Sequence, residues 1–107
     1  MVDAFESDGD VRVADNVEAN RYEVFLDGSL AGFANYRRTP KVVIFLHTEI
    51  DPAFEGHGLG SALARAALEG ARAAGERVIA RCPFIAAYIE RHPEYADLVT
   101  TPDTPSS

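Results

Sequence analysis

The sequence predicts an α+β domain: antiparallel β-strands first, then helix, strand and helix. Three observations carry this prediction. Alternating and β-branched apolar residues fill the first half. Apolar residues at helical spacing fill the stretch from Gly58 to Ala74. A glycine-rich segment joins the two patterns at the point where the period changes from 2 to 3.6.

The strands come first. Arg21–Asp27 alternates, with Tyr22, Val24 and Leu26 on one face. Asp27-Gly28 follows, the strongest short hairpin signal, because both turn positions need positive φ. Leu30–Arg38 forms the return strand, and Thr39-Pro40 makes another turn. Lys41–Ile50, KVVIFLHTEI, is the most β-prone run in the chain. It is apolar on both faces, so it is expected to be a central strand covered on both sides. Val11–Glu18 adds an edge strand.

The helical half follows. Leu59, Ala62, Leu63, Ala66, Ala67, Gly70, Ala71 and Ala74 form an amphipathic stripe. Its many alanines let the helix lie close against a sheet. Gly75 stops it. Arg77–Arg81 is a short strand. Pro83 opens a second helix at its first position, with Cys82 at the cap. Pro93–Leu98 is a further short turn or helix.

The chain has 107 residues, enough for one domain with one modest core. Residues 1–10 are acidic and residues 100–107 are rich in Pro, Ser and Thr; both read as flexible tails around a domain at 11–99. The formal net charge is −7. From Val11 to Thr100, however, twelve acids face ten bases. The body is therefore nearly balanced, and the acidity lies at the ends. No basic stripe points to nucleic acid, and no apolar run is long enough for a membrane span. The first residues lack the apolar region of a secretory signal, and the single cysteine excludes an internal disulfide framework. A cytoplasmic protein is the expectation. A homodimer is compatible with the sequence.

The segment Phe54-Glu55-Gly56-His57-Gly58-Leu59-Gly60-Ser61 joins the central strand to the long helix. Its alternating glycines let the backbone turn sharply and approach a ligand. Free N–H groups at the helix start, aided by its dipole, make an anion site that suits a diphosphate. A plain glycine-rich turn without a ligand fits the spacing equally well.

The order of elements, with this turn, resembles the GNAT superfamily of N-acetyltransferases. The family's turn motif is Gln/Arg-x-x-Gly-x-Gly/Ala. Glu55-Gly56-His57-Gly58-Leu59-Gly60 matches both glycines and departs at its first position, where Glu55 stands. Ala86-Ala87-Tyr88 has the form of the family's Ala-x-Tyr. The segments HTEI, GxGxxxA and CPFIAAYIERHPEY resemble a group of very small members whose substrate is unassigned. The resemblance spans roughly Glu18 to Val99. It implies a minimal GNAT-like fold and an acyl-CoA co-substrate, with acetyl-CoA or coenzyme A held by Ile50 and by Phe54 to Ser61. It implies acyl transfer to an amine, which is a small molecule or a protein. The N-terminal helical region that builds the acceptor pocket in larger members has no counterpart in the sequence. The family's base glutamate falls at Ile44, so the usual base is absent. An alternative reading is a module that binds acetyl-CoA or coenzyme A without transfer.

Four residues are candidates for the chemistry. His47 and Glu49 lie two apart, which puts them on one face with Phe45 and Val43. Imidazole titrates near neutrality and could deprotonate the amine, with Glu49 holding it or acting itself. They could equally pair with each other or cap backbone. Cys82 sits where a strand meets a helix N-terminus, a location that favours thiolate. In the fold implied by the resemblance it lies beside the pantetheine arm and could carry the acyl group. A buried structural cysteine is the alternative. Tyr88 resembles the family tyrosine that protonates the departing thiolate, or it is a core aromatic. His57 could donate to a phosphate or be a solvated loop residue, and His92 reads as a helix end. These histidines and Cys82 lack zinc-site spacing, and no metal is expected.

Overall fold

In the computed structural model, which describes residues 10–100, five strands lie side by side in chain order. They are β1 (Val11–Asn16), β2 (Arg21–Leu26), β3 (Ser29–Arg38), β4 (Val42–Ile50) and β5 (Arg77–Ala80). The first four run antiparallel, and β5 joins β4 in parallel. The parallel step needs a crossover, which α1 (Leu59–Ala74) supplies. After β5 come α2 (Pro83–Arg91) and a 3-10 turn at Pro93–Leu98. The tails expected at 1–10 and 100–107 lie almost entirely outside the described residues.

Local chemistry sets these boundaries. Asp27 and Gly28 both take positive φ, 53° and 84°, as the β2–β3 hairpin turn demands. Gly75 ends α1 in the left-handed region at φ 72° and donates its N–H back to Arg72. Pro83 begins α2 with Cys82 at its cap.

Both helices bury their apolar sides in one core with a single face of the sheet. Tyr22, Val24, Ala34, Tyr36, Val43, Phe45 and Val78 supply that face. Phe45, Leu63, Leu68 and Ile85 are among its largest fully buried side chains. Each contributes roughly 1.5–3 kcal/mol by leaving water. The buried stripe of α1 is Leu59, Leu63, Ala64, Ala67, Leu68 and Ala71. It is rotated from the expected stripe: Ala64 and Leu68 enter the core, whereas Ala74 is exposed and Ala62, Ala66 and Gly70 lie at its border. The alanines fit either rotation, and Leu68 decides between them. Gly70 stays a glycine because a Cβ there would strike the Tyr22 hydroxyl.

The far end of α1 is locked by polar contacts. Tyr36 donates to Asp15, and the Arg38 guanidinium lies 2.7 Å from Glu76 Oε2. Charge rather than an aligned hydrogen bond holds this last pair, since Arg38 Nε and Glu76 Oε1 lack bonded partners among the described residues. Burial and the bond to Asp15 push the Tyr36 hydroxyl up to about 12.

Two expectations for β4 need correction. The strand does lie between two others, but one of its faces is open. Leu46 is 45% exposed there, and Ile44 is half-buried. The second correction is the face of His47 and Glu49. Tyr36 pairs with Phe45 and Asn35 with His47, which leaves Leu46 as an extra residue in a β-bulge. The bulge shifts the alternation by one. Thr48 and Ile50 therefore take the core face, opposite Ala34 and Gly32. His47 and Glu49 take the open face, opposite Asn35 and Phe33.

Candidate functional site

The pairing of β4 with β5 stops at Phe45↔Ala80. Beyond it the Phe45 carbonyl accepts from both Arg81 and Cys82, at 3.0 and 3.1 Å, and the chain turns away into α2. The second half of β4 is thus paired with β3 alone. The Asp51 N–H bonds the Ala31 carbonyl at 2.8 Å. By strand alternation Thr48 and Ile50 turn their backbone groups away from β3, into the gap this divergence opens.

The glycine turn closes one end of the gap. Asp51 caps a 3-10 turn, Pro52–Phe54, by accepting from the Ala53 N–H at 2.9 Å. Gly56 and Gly58 then take φ of 91° and 70°, a region in which a side chain is strained. Gly58 caps α1 without any side-chain acceptor, and the first helical bond runs from Ala62 to the Gly58 carbonyl. The N–H groups of Leu59, Gly60 and Ser61 are therefore without helical partners, at the positive end of a 16-residue helix. All the expected ligand contacts from Phe54 to Ser61 except His57, together with Ile50, line one cleft of about 290 Å³. His57 is exposed and does not line the cleft.

Phe84 completes the cleft wall. Its ring lies so close to the Gly60 backbone that a Cβ there would come within 2.7 Å of its Cζ. Periodicity marks Phe84 only as an apolar helix residue, so the sequence gives no signal for this place.

Cys82 is buried and sits at the α2 cap, where its carbonyl accepts from the Ala86 N–H but its side chain makes no capping bond. Its thiol donates to Thr48 Oγ1 at 3.1 Å. The structure thereby joins β4 to the start of α2 through a contact spanning 34 residues. Thr48 was missed by sequence reasoning because the bulge hides its face, and its only signal is its place between His47 and Glu49.

His47 Nε2 lies 3.3 Å from Glu49 Oε1, with side chains 61% and 62% exposed. The pair stands on the side of β4 away from Cys82. Tyr88 is buried on α2 and does not line the cleft. It stacks on His92 with centroids 4.1 Å apart and lies 6.2 Å from Tyr95. Tyr95 in turn donates to Glu69 of α1, and that bond, helped by burial, pushes its hydroxyl up to about 12. The four chemical candidates thus fall in three places: Cys82 in the gap, His47 and Glu49 on the open face, and Tyr88 in an aromatic stack.

Comparison with known proteins agrees with this architecture. The family model of GCN5-related N-acetyltransferases matches residues 21–98, from the start of β2 to the end of the last 3-10 turn. A GCN5-like candidate N-acetyltransferase from Staphylococcus aureus, solved by NMR, superposes with a TM-score of 0.62. It is 22% identical over 94% of this chain and 96% of its own. Ribosomal-protein-alanine N-acetyltransferase from Brucella melitensis biovar Abortus 2308 superposes with a TM-score of 0.55 at 17% identity. That match covers 81% of this chain and 65% of the Brucella protein. At such identities the two structures speak to the fold. No curated protein matches the chain in sequence. The family model covers well over half of the chain, and the chain belongs to the GCN5-related N-acetyltransferase family.

Proposed function

We propose that this protein transfers an acyl group from acyl-CoA, with acetyl-CoA as the donor, to an amine. One observation carries the reading: β4 and β5 part at Phe45, beside a turn whose helix N–H groups are free. A diphosphate on those N–H groups would leave the pantetheine arm running along Thr48 and Ile50 toward Cys82. Glu55, a carboxylate that lines the cleft, is exposed, so its side chain has room to turn toward solvent when a diphosphate binds.

Cys82 offers a covalent route. Its Sγ attacks the thioester carbonyl, the bond from carbon to the coenzyme A sulfur breaks, and the departing thiolate takes up the Cys82 proton. The acceptor nitrogen then attacks the acyl-cysteine, and Cys82 leaves as the thiolate. Contact with Thr48 orients the thiol for the first step. His47 and Glu49 lie on the side of the strand away from Cys82, so the departing Cys82 thiolate takes the proton from the acceptor nitrogen.

The test is calorimetric titration with acetyl-CoA followed by mass spectrometry of the protein. Binding is expected for the wild type and not for Gly58→Val, which adds a strained β-branched residue at positive φ. An acetyl adduct is expected on Cys82, reversed by hydroxylamine and lost in Cys82→Ser. Full turnover by the serine variant would instead assign direct transfer. A second reading, coenzyme A binding without transfer, is favoured by Ile44 at the family's base position. Binding with neither adduct nor turnover would select it.

A further inference from the structure

His47 and Glu49 take no part in the covalent route. They stand on a face of the sheet that no helix covers among the described residues. Strand alternation places Phe25, Phe33, Ile44 and Ile79 on the same face. These four are half-buried, and Leu46 beside them is 45% exposed. We propose that a second copy of this chain covers this face, in a twofold dimer that packs sheet against sheet. The dimer is independent of the transfer reading. The coenzyme A cleft is lined from the opposite side, by Ile50, the glycine turn and Phe84.

The charges on this face are divided along the strands. Arg37 and Arg77 lie level with Ile44 and Val42, near the start of β4. Glu49 and Asp51 lie at its other end. Arg37 is exposed and enters no ion pair among the described residues. The Arg77 side chain reaches only the Val99 carbonyl, at 3.2 Å. Glu49 Oε1 lies against His47, and Asp51 Oδ1 accepts from the Ala53 N–H. The second oxygen of each carboxylate has no protein partner among the described hydrogen bonds. Each copy therefore carries an unneutralised basic end and an unneutralised acidic end. They are roughly 13 Å apart, because Arg37 and the cross-strand partner of Glu49, Phe33, are separated by four strand steps.

A twofold axis matches the two ends. Let it cross the strands at the level of Leu46, in the plane between the two sheets. The partner's strands then run in the reverse direction, aligned with the first set to within about 30°. Leu46 meets the partner's Leu46. Arg37 falls over the partner's Phe33 and Glu49, and Arg77 falls near the partner's Asp51. A cavity of about 330 Å³ lies at that acidic end, with Leu30, Phe33 and Pro52 as apolar walls beside the two carboxylates. The stem of Arg37 would lie on those walls while its guanidinium reaches Glu49. Each such contact occurs twice, as an isologous interface requires. A uniformly acidic or basic partner would satisfy one end and repel the other.

Size sets the expected strength. From strand spacing and rise, β2 to β5 present a face of roughly 500 Å² in each copy. About 1,000 Å² in all would be covered, at the low end for a specific interface, so the dimer should dissociate on dilution.

Sedimentation equilibrium of the full chain, over a concentration series, measures this directly. A monomer–dimer equilibrium is expected, and high salt should weaken it by screening the end contacts. Leu46→Glu, Arg37→Glu and Glu49→Arg should each raise the dissociation constant at least about tenfold, by setting like charges against each other. The double variant Arg37→Glu/Glu49→Arg restores the match and should recover the dimer. Circular dichroism checks that each variant folds, and recovery in the double variant separates a charge match from a damaged sheet. A wild type that stays monomeric overturns the proposal and leaves the face to residues 1–9 of this chain or to a different protein. A dimer that none of the single variants weakens overturns it too, and puts the contact elsewhere. So does failure of the double variant to regain what the single charge variants lose.

Discussion

The two halves of β4 have similar β-forming sequences and opposite fates. Val42–Phe45 pairs with β3 on one side and β5 on the other. Beside it lies the locked end of α1, where Tyr22, Tyr36, Arg38 and Glu76 meet. His47–Ile50 pairs with β3 alone and faces the unlocked end of α1, where the helix N–H groups have no side-chain cap. One half buys rigidity through complete pairing, and the other keeps backbone groups free for a ligand. The boundary between them is a single extra residue, Leu46. Stability and binding are therefore expected to respond to different substitutions only a few residues apart.

The largest expected effect is on the closed half. Phe45 is fully buried and touches Tyr22 and Tyr36 at centroid distances of 6.4 and 6.3 Å. Phe45→Ala should cost about 3–5 kcal/mol of unfolding free energy, from lost transfer energy and the cavity left behind. Ile50→Ala in the half-buried open half should cost less than half as much while weakening coenzyme A binding. Urea denaturation of both variants checks this. Equal costs would mean that both halves are core and that the contrast is false.

The next effect tests the boundary. Deleting Leu46 removes the bulge but preserves the pairing of His47–Ile50 with Asn35–Gly32 and the faces of all their side chains. The strand should straighten, and the gap beside β5 should narrow. Stability should fall by about 1 kcal/mol, the centre of the range for single-residue changes. Coenzyme A affinity should fall at least about tenfold, equivalent to about 1.4 kcal/mol. Retained affinity would show that the gap does not depend on the bulge.

Most of the element order was legible because its signals are local. Asp27-Gly28, Gly75 and Pro83 act on their own backbone, and the alternation of Tyr22, Val24 and Leu26 reports directly which face is buried. The turn from Phe54 to Ser61 was legible for the same reason, since glycine expresses a backbone requirement. What was not legible depends on partners distant in sequence. Nothing in KVVIFLHTEI marks Leu46 as an extra residue, because a bulge is defined by its mismatch with β3. Without it, His47 and Glu49 are assigned to the wrong face and Thr48 to the wrong role. The contact of Thr48 with Cys82 and of Phe84 with Gly60 needs the crossover of α1 to exist first. Tyr88 sits in Ala-x-Tyr as expected, yet its stack with His92 is set by the 3-10 turn that follows.

The smallest expected effect is on stability, at Gly60. This residue lies in the first turn of α1, and its backbone is in an ordinary helical conformation, unlike Gly56 and Gly58. Replacing it with alanine adds helix propensity of up to about 1 kcal/mol. The new methyl would come within 2.7 Å of Phe84 Cζ, which is the far end of a side chain that is only half-buried. The ring can swing aside at small cost, so Gly60→Ala should change stability by no more than about 0.5 kcal/mol, as the two contributions offset. Binding should behave differently. Both the methyl and the displaced ring occupy the cleft formed by the turn, where a diphosphate would contact the main chain. Acetyl-CoA affinity should therefore drop severalfold while the unfolding midpoint stays in place. A variant that lost stability and kept affinity would show that Gly60 serves the packing of α1 against α2 and not the ligand.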